Sequence, residues 1–364
     1  MRIDRIERLA DLLKKDNINA VLIGPSPDLE YLTGLTPSAD ERFKGLFILC
    51  DGSFFYICPS LYFEETQKRM GNDAKIYVWY DGEGFLGVLK QAKDEFDLDN
   101  MCIAVNDGIS AVHLLDIQEV IKGYFIKGDT LVGGLRIIKD TEEINNLRKA
   151  SKIIDQVVQD LVEFIRPGLK ERDIKKRIEE LCLEKGASGL SFEPIVASGP
   201  NSSMPHYNGD SRVIQKRDIV LLDLGCKYNG YCSDTTRTLF IGEPGEKEKK
   251  VYEAVLKANL EAEAYIKEGV TAEEVDKKAR EVIEKAGLGQ YFITRTGHGI
   301  GVNVHEYPNI VMGNKQVLKN GMAFSIEPSV CIPGDFGIRI EDIVVVNKGK
   351  AEVLNKFRKD MIII

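Results

Sequence analysis

Two segments decide the fold: EFIRPGLKERDIKKRIEELCLEKGA at residues 163–187 and AYIKEGVTAEEVDKKAREVIEKAGL at residues 264–288. They align at an offset of 101 residues, which pairs Gly168 with Gly269 and Gly186 with Gly287. Each segment predicts the end of one helix, a turn at the first glycine, and a second helix that ends at the second glycine. We interpret them as an internal repeat. The alternative is that two amphipathic helices converged on the same few residue types.

The residues that follow the two segments also correspond. SGPNSSMPHY and the apolar run IVLLDLG follow the first segment, whereas TGHGIGVNVHEYP and MAFSIEP follow the second. This alignment pairs His206 with His305, and Asp223 with Glu327. A duplicated unit that carries polar residues to equivalent places predicts a pseudo-twofold arrangement in which both halves face one cavity.

A β-hairpin is predicted at DIVLLDLGCKYNGYCSDTTRTLF (218–240). Asn229-Gly230 between two apolar runs is a strong signal for a two-residue turn. The resulting register places Asp223 opposite Thr236. Asp234 then projects from the same face as Asp223, as its diagonal neighbour across the two strands. The hairpin therefore aims two carboxylates at one point, within reach of one small ion.

Ionised acids on the buried face of an apolar strand need a counter-charge, a metal or a proton. Two simpler explanations stay open at this point. Asp223 could lie at a solvated strand end, or Arg237 could pair with one of the two acids.

A second pair of acids occurs near the end of the chain, Glu327 in MAFSIEP and Glu341 in GIRIED. His298 adds a nitrogen donor between two glycines, which allow a close approach of backbone or ligand. The combined set holds four carboxylates and one imidazole: Asp223, Asp234, His298, Glu327 and Glu341. Such a set suits Mn²⁺, Co²⁺ or Zn²⁺. Four carboxylates offer more oxygens than one ion uses, so we expect two ions about 3.5–4 Å apart, bridged by carboxylates and a nucleophilic water.

The motifs LLDLG, YCSDTTRT, TGHGIGVNVHEYP, SIEP and GIRIED together resemble the metallopeptidase family of prolidase, aminopeptidase P and methionine aminopeptidase. The resemblance runs from about residue 135 to the end and implies the pita-bread fold. It also implies that Asp223 binds one metal ion, that His298 and Glu327 bind the other, and that Asp234 and Glu341 bridge both.

The same resemblance implies roles for the other polar residues. His206 and His305 would flank the substrate, donate hydrogen bonds to it and stabilise the tetrahedral intermediate. Glu327 would act as general base. Phe192 would pack on the proline ring of the substrate, and Arg339 would meet the substrate carboxylate or orient Glu341.

Before the repeat, residues 1–130 alternate short apolar runs such as AVLIG, LFILC and CIAVN with helical stretches such as Leu86 to Phe96. This alternation predicts a small α/β domain, and the resemblance makes it a creatinase/prolidase-type N-terminal domain. A long helix follows, with Asp140 as N-cap and Glu143 in a capping box. The chain is therefore predicted to be an α/β (α+β) protein with domains at 1–130 and 131–364.

Composition excludes several classes of protein. The 364 residues carry a net charge of -8, so we expect no nucleic-acid partner. Seven cysteines without a CxxC pair predict reduced thiols and a cytoplasmic protein. The charged N-terminus predicts a surface helix rather than a signal peptide, and no run is long enough to span a membrane.

The predicted activity is a dinuclear-metal exopeptidase that hydrolyses Xaa-Pro dipeptides, for which the resemblance implies Mn²⁺ or Co²⁺, with Zn²⁺ as an alternative, and a homodimer. One departure weakens the dipeptide preference: some dipeptidase relatives carry an arginine where this chain has Asn309. An aminopeptidase P acting on longer peptides is therefore the nearest alternative. A non-catalytic binding protein or a creatinase-like amidinohydrolase fits less well, because all five metal positions are filled.

Overall fold

The computed structural model describes the whole chain, residues 1–364, as two compact units, Met1–Arg136 and Ile137–Ile364. The sequence placed the boundary after residue 130. The structure instead keeps a further helix, Asp129–Arg136, in the first unit. None of the helices combines the length and the apolar character needed to cross a membrane.

The first unit alternates six strands and six helices. Its strands are β1 (Ala20–Ile23), β2 (Gly45–Leu49), β3 (Phe54–Pro59), β4 (Ile76–Trp79), β5 (Cys102–Val105) and β6 (Tyr124–Lys127). Its helices are α1 (Ile3–Lys15), α2 (Pro27–Thr33), α3 (Phe63–Met70), α4 (Leu86–Phe96), α5 (Ala111–Val120) and α6 (Asp129–Arg136). The strands form one mixed sheet in the order β4-β3-β2-β1-β5-β6. The runs AVLIG, LFILC and CIAVN are confirmed as strands β1, β2 and β5, and Leu86 to Phe96 is confirmed as α4, whereas β6 was not predicted.

The second unit contains the four helices of the repeat: α7 (Thr141–Phe164), α8 (Glu171–Glu184), α9 (Glu246–Tyr265) and α10 (Ala272–Lys285). The capping box of α7 is confirmed, with the Asp140 side chain accepting from the Glu143 N–H. Helices α8 and α10 have equal lengths and begin and end at an offset of 101 residues. Gly168 and Gly269 turn the chain with φ of 97° and 95°, which favours glycine. The internal repeat is therefore present in the fold.

The strands of the second unit begin with β7 (Gly189–Leu190), β8 (Ile195–Ser198), β9 (Ile219–Leu224), β10 (Cys226–Tyr228), β11 (Tyr231–Cys232), β12 (Thr235–Phe240) and β13 (Gly297–Gly299). They continue with β14 (Glu306–Ile310), β15 (Ala323–Ile326), β16 (Ser329–Ile332), β17 (Phe336–Arg339), β18 (Asp342–Asn347), β19 (Lys350–Val353) and β20 (Ile362–Ile363). One half forms the sheet β20-β12-β9-β8, and the other forms β14-β13-β15-β18-β19. Each half encloses its own apolar core under its helices.

The predicted hairpin register is confirmed, with Asp223 opposite Thr236 in the β9/β12 pair. An antiparallel bridge between Thr236 and Glu341 then joins the two halves. The Glu341 N–H donates to the Thr236 carbonyl at 3.1 Å, and the Thr236 hydroxyl donates to Glu341 Oε2 at 2.7 Å. This bridge brings acids from the two copies of the repeat together.

Candidate metal centre

The five candidate ligands lie at strand ends or on a short strand of the second unit. Asp223 is near the end of β9 and Asp234 directly precedes β12. His298 is the middle residue of β13, Glu327 directly follows β15 and Glu341 directly precedes β18. All five line one cavity of about 580 Å³. The structure thus brings together residues that are up to 118 positions apart in the chain (341 − 223).

Short distances join the imidazole to the acids. His298 Nε2 lies 3.2 Å from Glu327 Oε1 and 3.7 Å from Asp234 Oδ2. Ligand atoms of Asp234, His298 and Glu341 all lie within 4.8 Å of one another, and the three residues are buried. A single small cation could contact all three.

The backbone around His298 fixes its tautomer. Nδ1 lies 3.1 Å from the Gly299 carbonyl oxygen, which can only accept, so Nδ1 carries the proton. In the neutral ring, Nε2 is then an acceptor that faces the Glu327 and Asp234 carboxylates. Two acceptors only 3.2 Å apart need a proton or a cation between them, and donation from Nδ1 to a backbone carbonyl is typical of metal-bound histidines.

The glycines beside His298 permit this close packing. A Cβ on Gly297 would lie 1.9 Å from the Ser325 carbonyl oxygen, and one on Gly299 would lie 2.2 Å from the Tyr307 carbonyl oxygen. Ser325 also holds two ligands together, because its hydroxyl accepts from the His298 N–H and donates to Glu327 Oε1, both at 3.0 Å. The glycines therefore serve packing between strands.

The acids of the site lack enough internal donors. Asp223 Oδ1, Asp234 Oδ1 and Glu341 Oε1 are buried and have no hydrogen-bond partner. Burial raises the pKa of Asp234 and of Glu341 well above the ordinary carboxyl range, and the negative charges of the neighbouring acids raise both further. Three unpartnered buried oxygens beside an imidazole acceptor fit divalent cations by position and by donor chemistry.

Glu327 differs from these two acids. Burial raises its pKa, but a proton held between His298 Nε2 and Glu327 Oε1 in place of a cation, together with Arg339 and Ser325, lowers the pKa of the Glu327 carboxyl below the ordinary value overall. Glu327 is therefore the acid of the cluster that most readily holds a negative charge.

The two alternative explanations for the hairpin acids are wrong. Arg237 is fully buried and pairs with Asp342 at 2.7 Å, not with either hairpin acid. The Asp223 side chain is only 13% exposed, and its Oδ2 accepts from Arg339. Asp223 thus has a cationic partner inside the site.

Arg339 has a different setting from the one expected. It is 4% exposed, and besides Asp223 it donates to Thr236 Oγ1 at 3.0 Å and approaches the Pro205 carbonyl oxygen at 3.5 Å. It makes no hydrogen bond to Glu341. Nε, Nη1 and Nη2 each donate one hydrogen bond within the protein, and this geometry supports orientation of Asp223 by Arg339. Arg339 also lines the cavity, and its contact with the substrate carboxylate stays a prediction.

The expected substrate-binding residues Phe192, His206 and His305 all line the same cavity. The His305 ring meets the His298 ring edge-on, with centroids 4.3 Å apart. Burial, followed by the nearby charges of His298 and Arg295, lowers the pKa of His305 to about 4. His305 is therefore neutral at pH 7 and keeps one N–H to donate.

Several residues around the site were not predicted from the sequence. Arg295 lines the cavity and donates to Asn309 Oδ1 at 2.7 Å. Asn309, which stands where some dipeptidase relatives have an arginine, therefore orients the Arg295 guanidinium. Thr236 and Ser325 bind candidate ligands through their hydroxyls. Only their positions could have indicated these residues from the sequence: Thr236 lies opposite Asp223 in the predicted hairpin, and Arg295 precedes His298 by three residues.

Comparison with known proteins bears on both units. Residues 5–138 match the creatinase/prolidase N-terminal domain, and residues 145–348 match metallopeptidase family M24. An Xaa-Pro dipeptidase of Lactobacillus helveticus is 36% identical, over 99% of this chain and 98% of its own length.

Solved structures give the same result. A prolidase from Thermococcus sibiricus superposes with a TM-score of 0.96 at 38% identity, covering 100% of both chains. A dipeptidase from Pyrococcus horikoshii OT3 gives a TM-score of 0.93 at 40% identity, covering 99% of this chain and 100% of its own.

Proposed function

Because this chain belongs to metallopeptidase family M24, we propose that it is an exopeptidase that hydrolyses the Xaa-Pro bond of dipeptides. The observation that carries the proposal is the cluster of four carboxylates and one imidazole, with unpartnered oxygens, in the wall of a cavity. A non-catalytic protein would have no need for buried acids left without donors, which are costly.

The residues present suggest how two divalent ions would be shared. Asp223 would hold one ion, His298 and Glu327 the other, and Asp234 and Glu341 both. Bound there, the ions would polarise the scissile carbonyl and lower the pKa of water. Mn²⁺ or Co²⁺ matches this oxygen-rich set, and Zn²⁺ is compatible with it.

The side chains supply the remaining chemistry. Glu327, as the acid that most readily stays ionised, accepts the proton of the attacking water at its carboxylate. His305 is neutral at pH 7, and its N–H donates to the oxygen that becomes negative in the tetrahedral intermediate. His206 approaches from the other half of the repeat and holds the substrate.

A prolyl bond needs a dedicated site because its nitrogen has no proton and its φ is fixed. General proteases bind extended, hydrogen-bonded peptides, whereas this cavity offers the Phe192 ring to an apolar proline. Contact between two rings replaces the missing hydrogen bond.

The preference for dipeptides rests on Arg295. Three cationic side chains line the cavity, and two of them form ion pairs within the protein: Arg339 with Asp223, and Lys175 with Glu193 at 3.6 Å. Arg295 has only the neutral side-chain oxygen of Asn309 as hydrogen-bond partner. Its guanidinium keeps donors and a positive charge for a substrate carboxylate.

The alternative, an Xaa-Pro aminopeptidase acting on longer peptides, is favoured by the neutral side chain at 309. Hydrolysis of Leu-Pro and Met-Pro beside Arg-Pro-Pro, after loading with Mn²⁺ or Co²⁺, separates the two activities. Cleavage of the dipeptides alone supports the dipeptidase. Cleavage of Arg-Pro-Pro at a comparable rate supports the aminopeptidase, and cleavage of none refutes both.

We also propose a homodimer in a reducing compartment such as the cytoplasm. The first unit has an edge strand, β6, whose Tyr124 is 73% exposed, and α5 exposes Val112 and Leu115. Such an edge with apolar side chains is suited to contact with a second copy. All seven cysteines are free thiols, which fits the compartment. Sedimentation of wild type and Tyr124→Lys tests the dimer; identical dimeric masses would exclude this edge.

A further inference from the structure

The two equivalent helices of the repeat each contain a fully buried acid outside the metal centre. Glu171 begins α8 and Asp276 lies in α10, and both are 0% exposed. Ala272 is the repeat equivalent of Glu171, and Lys175 is the equivalent of Asp276. In each helix the two positions are four residues apart, so they share one face.

Glu171 gathers donors from the loop that carries His206. Its Oε1 accepts from the Ser198 N–H and hydroxyl, both at 2.8 Å, and from Asn201 Nδ2 at 3.1 Å. Its Oε2 accepts from the Tyr207 hydroxyl at 2.9 Å and from the Arg212 N–H at 3.3 Å. Tyr207 directly follows His206 in the chain. Glu171 therefore ties both sides of the His206 loop to one carboxylate.

Asp276 does the same for Thr296, the residue directly before strand β13, which carries His298. Its Oδ1 accepts from the Thr296 hydroxyl at 2.7 Å and N–H at 3.2 Å, and Arg280 donates to both of its oxygens. The Thr296 carbonyl in turn accepts from the Glu327 N–H at 2.7 Å. Fixing Thr296 therefore fixes two candidate metal ligands, one through the chain and one through a hydrogen bond.

We propose that Glu171 and Asp276 are positioning residues with divided tasks, Asp276 for the metal-binding side of the site and Glu171 for the substrate-binding side. The inference rests on the proposed function, since it assumes that His298 binds metal and His206 binds substrate. Hydrogen-bond partners behind metal ligands typically change metal affinity or activity by roughly 10–100-fold when they are removed. The two acids should therefore give separable losses.

The test compares Asp276→Asn and Glu171→Gln, each in the full-length protein. In each variant the amide keeps one oxygen as an acceptor, but an NH₂ replaces the other oxygen of the carboxylate. That NH₂ cannot accept the hydrogen bonds that the surrounding N–H and O–H groups donate to the acid. Asp276→Asn should weaken Mn²⁺ binding by roughly 10-fold or more, measured by calorimetry on the metal-free protein. Glu171→Gln should bind Mn²⁺ within about 2-fold of wild type while kcat/KM for Leu-Pro falls by roughly 10-fold or more.

Matched controls are Glu180→Gln on α8 and Glu281→Gln on α10, which remove the same charge from more exposed positions. Both should leave Mn²⁺ affinity and turnover unchanged. If either buried variant fails to fold, Thr296→Val and Tyr207→Phe remove single hydrogen bonds to the same two acids and replace them in the test.

Two results would overturn the inference. Mn²⁺ affinity equal to wild type in Asp276→Asn or Thr296→Val would show that Asp276 does not position metal ligands. Equal losses of metal affinity and rate in Glu171→Gln or Tyr207→Phe would show that the tasks are not divided. If wild type binds Mn²⁺ but cleaves no Xaa-Pro peptide, the proposed function fails, while the calorimetric comparison still decides the role of Asp276.

Discussion

Asp234→Asn should stabilise the metal-free protein and abolish metal binding. Asp234 is 4% exposed, its Oδ1 has no hydrogen-bond partner, and its neighbours include the like-charged Glu341 and Asp223. An unsatisfied buried polar group costs about 1–3 kcal/mol, and more when it is charged. The neutral amide has the same shape, removes the repulsion from the neighbouring acids, and adds an NH₂ donor among acceptor oxygens that have none, so it relieves a cost of this order. For a domain the size of the second unit, about 2–4 °C per kcal/mol gives an increase in Tm of about 2–12 °C.

Calorimetric melting of chelator-treated wild type and Asp234→Asn at pH 8 measures this increase. Mn²⁺ at 100 times its Kd should stabilise wild type by about 2.7 kcal/mol, and it should not shift the variant. Asp210→Asn, with a half-exposed side chain, is the matched control and should change neither property. The idea is that uncompensated negative charge destabilises this site until a cation binds. A lower Tm in metal-free Asp234→Asn, or a rise in its Tm with Mn²⁺ as large as that of wild type, would refute it.

Three further predictions follow from the site. His298→Ala should lose bound metal and activity together, whereas His206→Ala should keep its metal by elemental analysis and lose roughly 100-fold in kcat; parallel losses in both would contradict the assigned roles. Arg295→Gln should raise KM for Leu-Pro by roughly 10-fold with a smaller effect on kcat, since a charged hydrogen bond contributes about 1.5–3 kcal/mol, and an unchanged KM would remove Arg295 from substrate binding. Gly297→Ala should destabilise the protein by about 1–3 kcal/mol in urea unfolding, because its Cβ would overlap the Ser325 carbonyl oxygen; wild-type stability would show that β13 and β15 can separate at no cost.

Local signals in the sequence predicted much of the second unit. The Asn229-Gly230 turn set the register of β9 and β12, and the glycines of the repeat set the ends of α8 and α10. Comparison with known proteins confirms the family resemblance and the fold class, a creatinase/prolidase N-terminal domain followed by a pita-bread domain. Turns, caps and periodicity act over a few residues, which is why the sequence reveals them.

Partners distant in the chain could not be predicted in the same way. Arg339 was expected to meet the substrate carboxylate or to orient Glu341, two residues away, and its ion pair with Asp223, 116 residues earlier, was not predicted. In the sequence, Asp276 and Glu171 have the pattern of ordinary polar residues on the exposed face of an amphipathic helix. Only the tertiary structure shows that both are buried against neighbouring segments of the chain. Strand β6 was missed because Tyr124-Phe125-Ile126 is an apolar run of only three residues, and the strand lies largely exposed at the edge of its sheet.

The most direct test of the central claim is the release of proline from Leu-Pro, followed while Mn²⁺ is titrated into metal-free protein of known concentration. We predict that the rate rises until two ions are bound per chain and stays constant beyond that point, with no gain in His298→Ala. A protein that binds no Mn²⁺, or that binds two ions per chain and still releases no proline, would contradict it.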